Sequence, residues 1–153
     1  MQDITTRQES SAWRNLENKN LRSRRKVLLI EDDLDLATSV KFIIESYGSS
    51  QCEVTCDPYD ALQKLSDSSY DFILVDQRLP GMTGAQVLAE IDSWVNRDPL
   101  TIESGIYSKH TPVVLMSSSS VKLKKDFKLQ SFNLLEVLHK KDLLSFLAQT
   151  FAS

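Results

Sequence analysis

The chain has 153 residues, 41% hydrophobic and 25% charged, enough for one domain with a sizeable core. No apolar stretch is long enough to span a membrane, and the N-terminus lacks the apolar centre of a secretory signal, so the expected compartment is the cytoplasm. Residues 1–26 carry seven basic and three acidic side chains, whereas residues 27–153 carry eleven and eighteen, so a basic extension precedes an acidic domain.

The extension, residues 1–25, reads as flexible and solvated, with a charge that suits nucleic acid, a membrane surface or an acidic patch on a partner. The domain follows from residue 26. "KVLLI" (26–30) is an apolar run too short for a helix and is stopped by "EDD", which predicts a buried strand. "LDLATSVKFIIESYG" places Leu36, Val40, Ile43, Ile44 and Tyr47 at helical spacing, with Gly48 as the C-terminal cap. "CEVTC" predicts a weaker second strand. Its Cys52 and Cys56 would share a face yet lie too far apart to bond, so reduced structural thiols are expected. Asp57-Pro58 starts a helix with Ala61, Leu62 and Leu65 on one face.

"DFILV" (71–75) predicts the third strand, and Thr83 caps a helix whose core face is Val87, Leu88, Ile91 and Val95. "TPVVLM" (111–116) is the fourth strand. "VKLKKDFKLQ" (121–130) is expected to be a basic, weakly amphipathic helix capped by the serine tract 117–120. "LLEVLH" (134–139) is the fifth strand. "DLLSFLAQTF" closes the domain as a helix with Leu143, Leu144, Leu147 and Phe151 inward. Five alternating βα units with near-continuous apolar strands predict an α/β fold, a doubly wound parallel sheet covered on both faces. Such a sheet binds ligands beyond the carboxyl ends of its strands, where the strand order reverses.

Those strand ends carry the chemistry. Strand one ends in Glu31, Asp32 and Asp33, strand three in Asp76, strand four in Ser117, and strand five in His139, Lys140 and Lys141. Clustered carboxylates repel unless a cation joins them, and hard oxygen ligands on an open edge suit Mg²⁺. A metal, an ammonium group and a hydroxyl around a carboxylate make a pocket for a phosphoryl group placed on that carboxylate. Taken singly, each residue has a plainer role: the acids as helix caps, Ser117 as a loop or cap residue, Lys140 as a solvated cation. His139, on an alternating strand, is expected to point away from the cluster.

In order, "VLLIEDD", "YDFILVDQRLPGMTG", "TPVVLMS" and "LHK" resemble the response-regulator receiver domain of two-component signalling, over about Lys26 to Phe151. The resemblance implies a flavodoxin-like five-stranded sheet in the order 2-1-3-4-5. It makes Asp76 the phosphoacceptor. Mg²⁺ or Mn²⁺ would be held by Asp32 and Asp76, by Glu31 through water or more loosely, and by the backbone carbonyl of Arg78. Ser117 and Lys140 would contact the phosphoryl oxygens, while Arg78 and Ser119 would tune dephosphorylation. The implied donor is a sensor histidine kinase or phosphotransfer protein in a phosphorelay. The implied output is an unknown protein, met by the fourth-helix, fifth-strand, fifth-helix face. A regulatory phosphoprotein is expected rather than an enzyme, stand-alone and without direct DNA binding.

The sequence departs from the family at several points. Val137 stands at the switch position, where an aromatic residue is usual. Lys141 replaces a proline, Asn133 replaces a glycine, and "NRDPLTIESGIYSKH" (96–110) lengthens the connection before strand four. These departures bear on output rather than on phosphoryl chemistry. They admit an alternative, a receiver-like interaction adaptor whose output ignores phosphorylation and whose "KLKKDFK" stretch meets an acidic partner. A third class, a phosphatase with an aspartyl-phosphate intermediate, would want an acid two residues after the nucleophile, where Arg78 stands.

Overall fold

A computed structural model describes residues 24–97 and 111–152. The N-terminal extension, except for its last two residues, and residues 98–110 of the lengthened connection lie outside them. Five strands form one parallel sheet in the order β2-β1-β3-β4-β5. They are β1 (Arg25–Ile30), β2 (Ser50–Thr55), β3 (Phe72–Asp76), β4 (Thr111–Ser117) and β5 (Phe132–His139). Among the described residues four α-helices accompany them: α1 (Leu34–Ser46), α2 (Pro58–Asp67), α3 (Gly84–Arg97) and α4 (Leu143–Phe151), the last preceded by a 3₁₀ turn, Lys140–Asp142. Among the described residues no helix is long and apolar enough to cross a membrane.

Alternation along each strand divides the core into two layers. Val27, Leu29, Phe72, Leu74, Val114 and Met116 face α1 and α4. Leu28, Ile30, Ile73, Val75, Val113 and Leu115 face α2 and α3. The helix starts follow from local chemistry. Asp33 accepts the N–H groups of Asp35 and Leu36, and Asp57 accepts that of Tyr59 ahead of Pro58. Thr83 and Gln86 exchange side-chain-to-backbone hydrogen bonds of 3.2 and 2.8 Å, a capping box. Gly48 ends α1 at φ +81°, where a side chain would be strained.

The expected helix over 121–130 does not form: the segment is irregular, with one turn closed by Phe127 N–H donating to the Lys124 carbonyl. Its apolar residues explain why. Val121 and Leu123, then Phe127 and Leu129, recur two apart, and all four rest half-buried on the α2–α3 layer. That spacing suits extended backbone, and a helix would scatter these side chains around its surface. Four lysines at 122, 124, 125 and 128 add repulsion. The serine tract 117–120 therefore caps no helix, and one member of the expected helix–strand–helix face is missing.

Smaller corrections follow from the ends of elements. Tyr47 and Leu144, expected inside, are exposed: Tyr47 follows the last turn of α1 as its C-cap, and Leu144 lies a step round α4 from the buried stripe of Leu143, Leu147 and Phe151. Leu36 and Ile43 are half-buried. Strand β2 ends at Thr55, so Cys56 leaves the strand face and is exposed while Cys52 is buried; both thiols are free. Burial pushes the Cys52 thiol up to about 12, which keeps it protonated and inert. Strand β5 begins two residues earlier than expected and is bulged opposite Val113/Val114. Lys140 belongs to the 3₁₀ turn rather than to the strand, and His139 Nδ1 accepts the Lys141 N–H at 3.2 Å.

Asp92 holds the irregular segment in place. It lies buried on α3, where its carboxylate accepts from the N–H groups of Gln130 (3.0 Å) and Ser131 (2.7 Å). Asn96 adds a bond to Asp92 of 3.3 Å and accepts the Ser131 hydroxyl at 2.8 Å. Charge-assisted bonds of this kind are worth about 1.5–3 kcal/mol each, and their donors would be stranded without the acceptor. Asp92→Ala is expected to lower unfolding stability by about 2–4 kcal/mol, and Asp92→Asn by roughly half as much. Urea denaturation reads both, and amide hydrogen exchange should show the loss first over residues 118–131. An Asp92→Ala midpoint equal to wild type would refute this role.

Candidate functional site

The acids reach one place because parallel strands end on one edge. Glu31 follows β1, and its N–H donates to the Thr55 carbonyl at 3.0 Å, which extends the β1–β2 ladder past the last strand residue. Asp76 closes β3, and the Gln77 N–H donates to the Met116 carbonyl at 2.8 Å. Strands β1 and β3 are neighbours at the point where the order reverses, so Glu31 and Asp76 face each other across it. Glu31 and Asp76 are almost fully buried, and Asp32 is exposed.

Carboxylate oxygens of Glu31, Asp32 and Asp76 all lie within 4.8 Å of one another. Lys140 reaches in from the 3₁₀ turn, its Nζ 2.9 Å from Glu31 Oε2 and 3.3 Å from Asp76 Oδ2. One ammonium facing three carboxylates leaves two negative charges uncompensated when all are ionised. The protonation equilibria reflect this. Burial pushes Glu31 up to about 7, helped by the charge of Asp76, against the pull of Lys140 and of the Asp33 N–H. Burial pulls Lys140 down, but Glu31 and Asp76 outweigh it and hold the ammonium above its ordinary value. Hard oxygen donors carrying excess negative charge fit a small divalent cation.

The remaining sequence candidates separate. Asp33 stays out of the cluster: its side chain caps α1, and its N–H orients Glu31 by donating to Oε1 at 3.1 Å. Ser117 is buried at the end of β4, where its hydroxyl accepts the Ser119 N–H at 3.2 Å. Among the described residues no hydrogen bond joins Ser117 to Asp76 or Lys140. Arg78 and Ser119 are exposed beside the edge, and Arg78 pairs with Thr83 in an isolated antiparallel bridge. Val137 is exposed on β5, 37% accessible.

Two features hold the turn after Asp76. Gly81 takes φ +79°. Gly84 lies so close to the strand that a Cβ there would sit 2.3 Å from the Asp76 carbonyl oxygen. Gln77, which sequence reasoning passed over, ties this turn to α3: its carbonyl accepts the Gly84 N–H and its side chain the Ala85 N–H, each at 3.0 Å. Nothing in the sequence singles Gln77 out. Asp92 did leave a signal, a carboxylate four residues after Leu88 and three before Val95, on the apolar face of α3.

Comparison with known proteins agrees with this geometry. The family model for the response regulator receiver domain matches residues 27–141. The chemotaxis protein CheY-3 of Vibrio cholerae is 25% identical over 103 residues, which cover 67% of this chain and 68% of that protein. The autoinducer 2 sensor kinase/phosphatase LuxQ of Vibrio vulnificus is 36% identical over 83 residues, 54% of this chain but only 9% of the relative's length. Among solved structures, the receiver domain of the sensor histidine kinase PA1611 of Pseudomonas aeruginosa superposes with a TM-score of 0.58 at 20% identity, covering 85% of this chain and 99% of that one. A CheY-like receiver domain protein of Methanospirillum hungatei reaches 0.61 at 20% identity, covering 84% and 94%. Both share the flavodoxin-like fold. The chain belongs to the response-regulator receiver domain family.

Proposed function

We propose that this domain accepts a phosphoryl group on Asp76 from a phosphohistidine of a sensor kinase or phosphotransfer protein. The observation that carries the reading is the meeting of Glu31, Asp32, Asp76 and Lys140 at one sheet edge, with the acceptor held on a rigid strand. In the transfer, a carboxylate oxygen of Asp76 forms the new P–O bond as the P–N bond of the phosphohistidine breaks, and the released imidazole takes a proton. Lys140 would contact the phosphoryl oxygens, and Ser117 would join it by giving up its bond from the Ser119 N–H. Arg78 and Ser119, both exposed, would tune the lifetime of the adduct.

The cation is proposed as Mg²⁺ or Mn²⁺, held by Asp32, Asp76, Glu31 and the Arg78 carbonyl. When bound, it would neutralise negative charge on the acids and on the phosphoryl oxygens. One solved relative in fold, the PA1611 receiver domain, carries a magnesium ion coordinated in its active-site cleft, which supports the same assignment here. Output is proposed at the surface of the 118–131 segment, β5 and α4, with an unknown protein as its reader. The test is incubation with Mg²⁺ and acetyl phosphate followed by intact mass. A single phosphoryl adduct is expected; its absence under conditions that phosphorylate another receiver domain would sink the proposal.

A pH dependence follows from Glu31. Metal binding needs the ionised carboxylate, and Glu31 titrates near 7. Mg²⁺ affinity measured by calorimetry should therefore be about tenfold weaker at pH 6 than at pH 8, and Glu31→Gln should flatten the profile. In the cation-free protein the sign for stability is opposite. Between about 4.5 and 7 the folded state holds the Glu31 proton and the unfolded chain does not, so this group's contribution to stability falls as pH rises through that window. A wild-type affinity independent of pH would remove Glu31 from the metal's surroundings.

A further inference from the structure

The missing helix leaves a cleft. Between α3 and the irregular segment lies a depression of about 360 Å³, with Ala85, Ala89, Leu123 and Phe127 on its floor and Lys122 and Lys124 at its rim. That volume takes an aromatic or leucine side chain together with its neighbours.

Three observations point to what it holds. First, the segment is basic on an otherwise acidic domain: exposed Lys122, Lys124, Lys125 and Lys128 are offset within it only by Asp126. Among the described residues, none of these four lysines is in an ion pair. Second, the backbone of residues 121–123 makes no hydrogen bond among the described residues, although its apolar side chains are half-buried. Its N–H and C=O groups are thus left without a hydrogen-bond partner among the described residues, which makes them available to a partner's main chain. Third, both ends of the segment are fixed, by Asp92 at residues 130–131 and by the Ser117–Ser119 turn. The surface is therefore partly preorganised, which lowers the ordering cost of binding.

We propose that this cleft docks a short acidic peptide segment of a partner protein, with an aromatic or leucine anchor on the apolar floor and flanking carboxylates at Lys122 and Lys124. Nucleic acid fits less well. The segment contains no arginine, its floor is apolar, and residues 27–153, with eleven basic and eighteen acidic side chains, repel a polyanion at long range. The docking does not rest on the phosphoacceptor reading and is measured on the unphosphorylated protein. The cleft is nevertheless tied to that site, because Gln77, the residue after Asp76, also lines it. If occupancy shifts the phosphorylation equilibrium, phosphorylation shifts peptide affinity by the same factor.

The probe is a synthetic decapeptide with one phenylalanine and one leucine among glutamates, titrated into the ¹⁵N-labelled full chain. Its controls replace each glutamate by glutamine or by lysine, and a single-stranded oligonucleotide serves as the polyanion control. The acidic peptide should perturb the amides of Ala89, Leu123 and Phe127 and bind at least about tenfold tighter than the glutamine version. Lys122→Glu with Lys124→Glu, both exposed positions, should weaken it by about tenfold or more while the amide spectrum stays folded. Ala89→Arg should block the floor with the lysines intact. Equal affinity for the acidic and neutral peptides, perturbations confined to another face, no binding, or tighter binding of the oligonucleotide would each overturn the proposal.

Discussion

Asp76→Asn should abolish the phosphoryl adduct formed with acetyl phosphate, lowering its rate at least about 100-fold. An amide oxygen is a poor nucleophile, and the substitution keeps the shape of a buried side chain, so the fold should survive. The neighbouring acids cannot take over easily. Glu31 is more deeply buried than Asp76 and is protonated for part of the time near neutral pH. Asp32 is exposed and farther from the ammonium of Lys140, which pairs with Glu31 and Asp76.

The supporting residues should behave differently. Asp32→Asn and Lys140→Met keep the acceptor and should slow adduct formation, by roughly 100-fold for Lys140→Met if the ammonium stabilises charge on the transferring group. Asp76→Asn also removes a negative neighbour of Glu31, so the Glu31 titration should move down from about 7, a shift visible in the carboxyl resonances. Intact mass read across the three variants separates acceptor from support. An adduct that persists in Asp76→Asn, or vanishes only in Asp32→Asn, would reassign the acceptor.

The strands and their acids could be read from sequence because each signal was local. Runs such as "FILV" stay apolar on both faces, and in a parallel sheet this requires helices on both sides. Once the strands are parallel, Glu31, Asp76 and Ser117 must share an edge, whatever the details of packing. The 121–130 segment could not be read this way. Leu123 and Phe127 are four apart, as on a helix, while Val121 and Leu123 are two apart, as in extended chain. The decision came from tertiary contacts, the apolar floor of α3 and the buried Asp92. Leu144 misled for a related reason: its spacing to Leu147 and Phe151 fits an apolar stripe, but the stripe that packs on the sheet is Leu143, Leu147 and Phe151, and Leu144 lies a step round the helix from it and is exposed. Periodicity states which residues can share a face and leaves open whether a neighbour covers that face.

The second large effect is expected at Gly84, which carries no charge but lies against the backbone of Asp76. A methyl group there would meet the Asp76 carbonyl oxygen at 2.3 Å, the Asp76 carbonyl carbon at 3.0 Å and Leu115 Cδ1 at 2.8 Å. The leucine can turn aside, but the strand backbone cannot, because β3 is hydrogen-bonded between β1 and β4. Gly84→Ala must therefore push the start of α3 away from β3 or push Asp76 out of register with Glu31 and Lys140. Overpacking of this kind costs about 1–3 kcal/mol, and more where backbone opposes it. Displacing a reacting group by about 1 Å can cost up to about 100-fold in rate. The expected outcome is lower stability together with slower phosphorylation by acetyl phosphate. Gly48→Ala supplies the contrast: its φ of +81° is strained for alanine, but a Cβ there meets nothing within 4 Å. It should cost about 1–2 kcal/mol and leave the phosphorylation rate of the folded protein unchanged. If both alanine variants phosphorylate at the wild-type rate, the close approach of α3 to β3 serves packing alone and does not set the position of the acceptor.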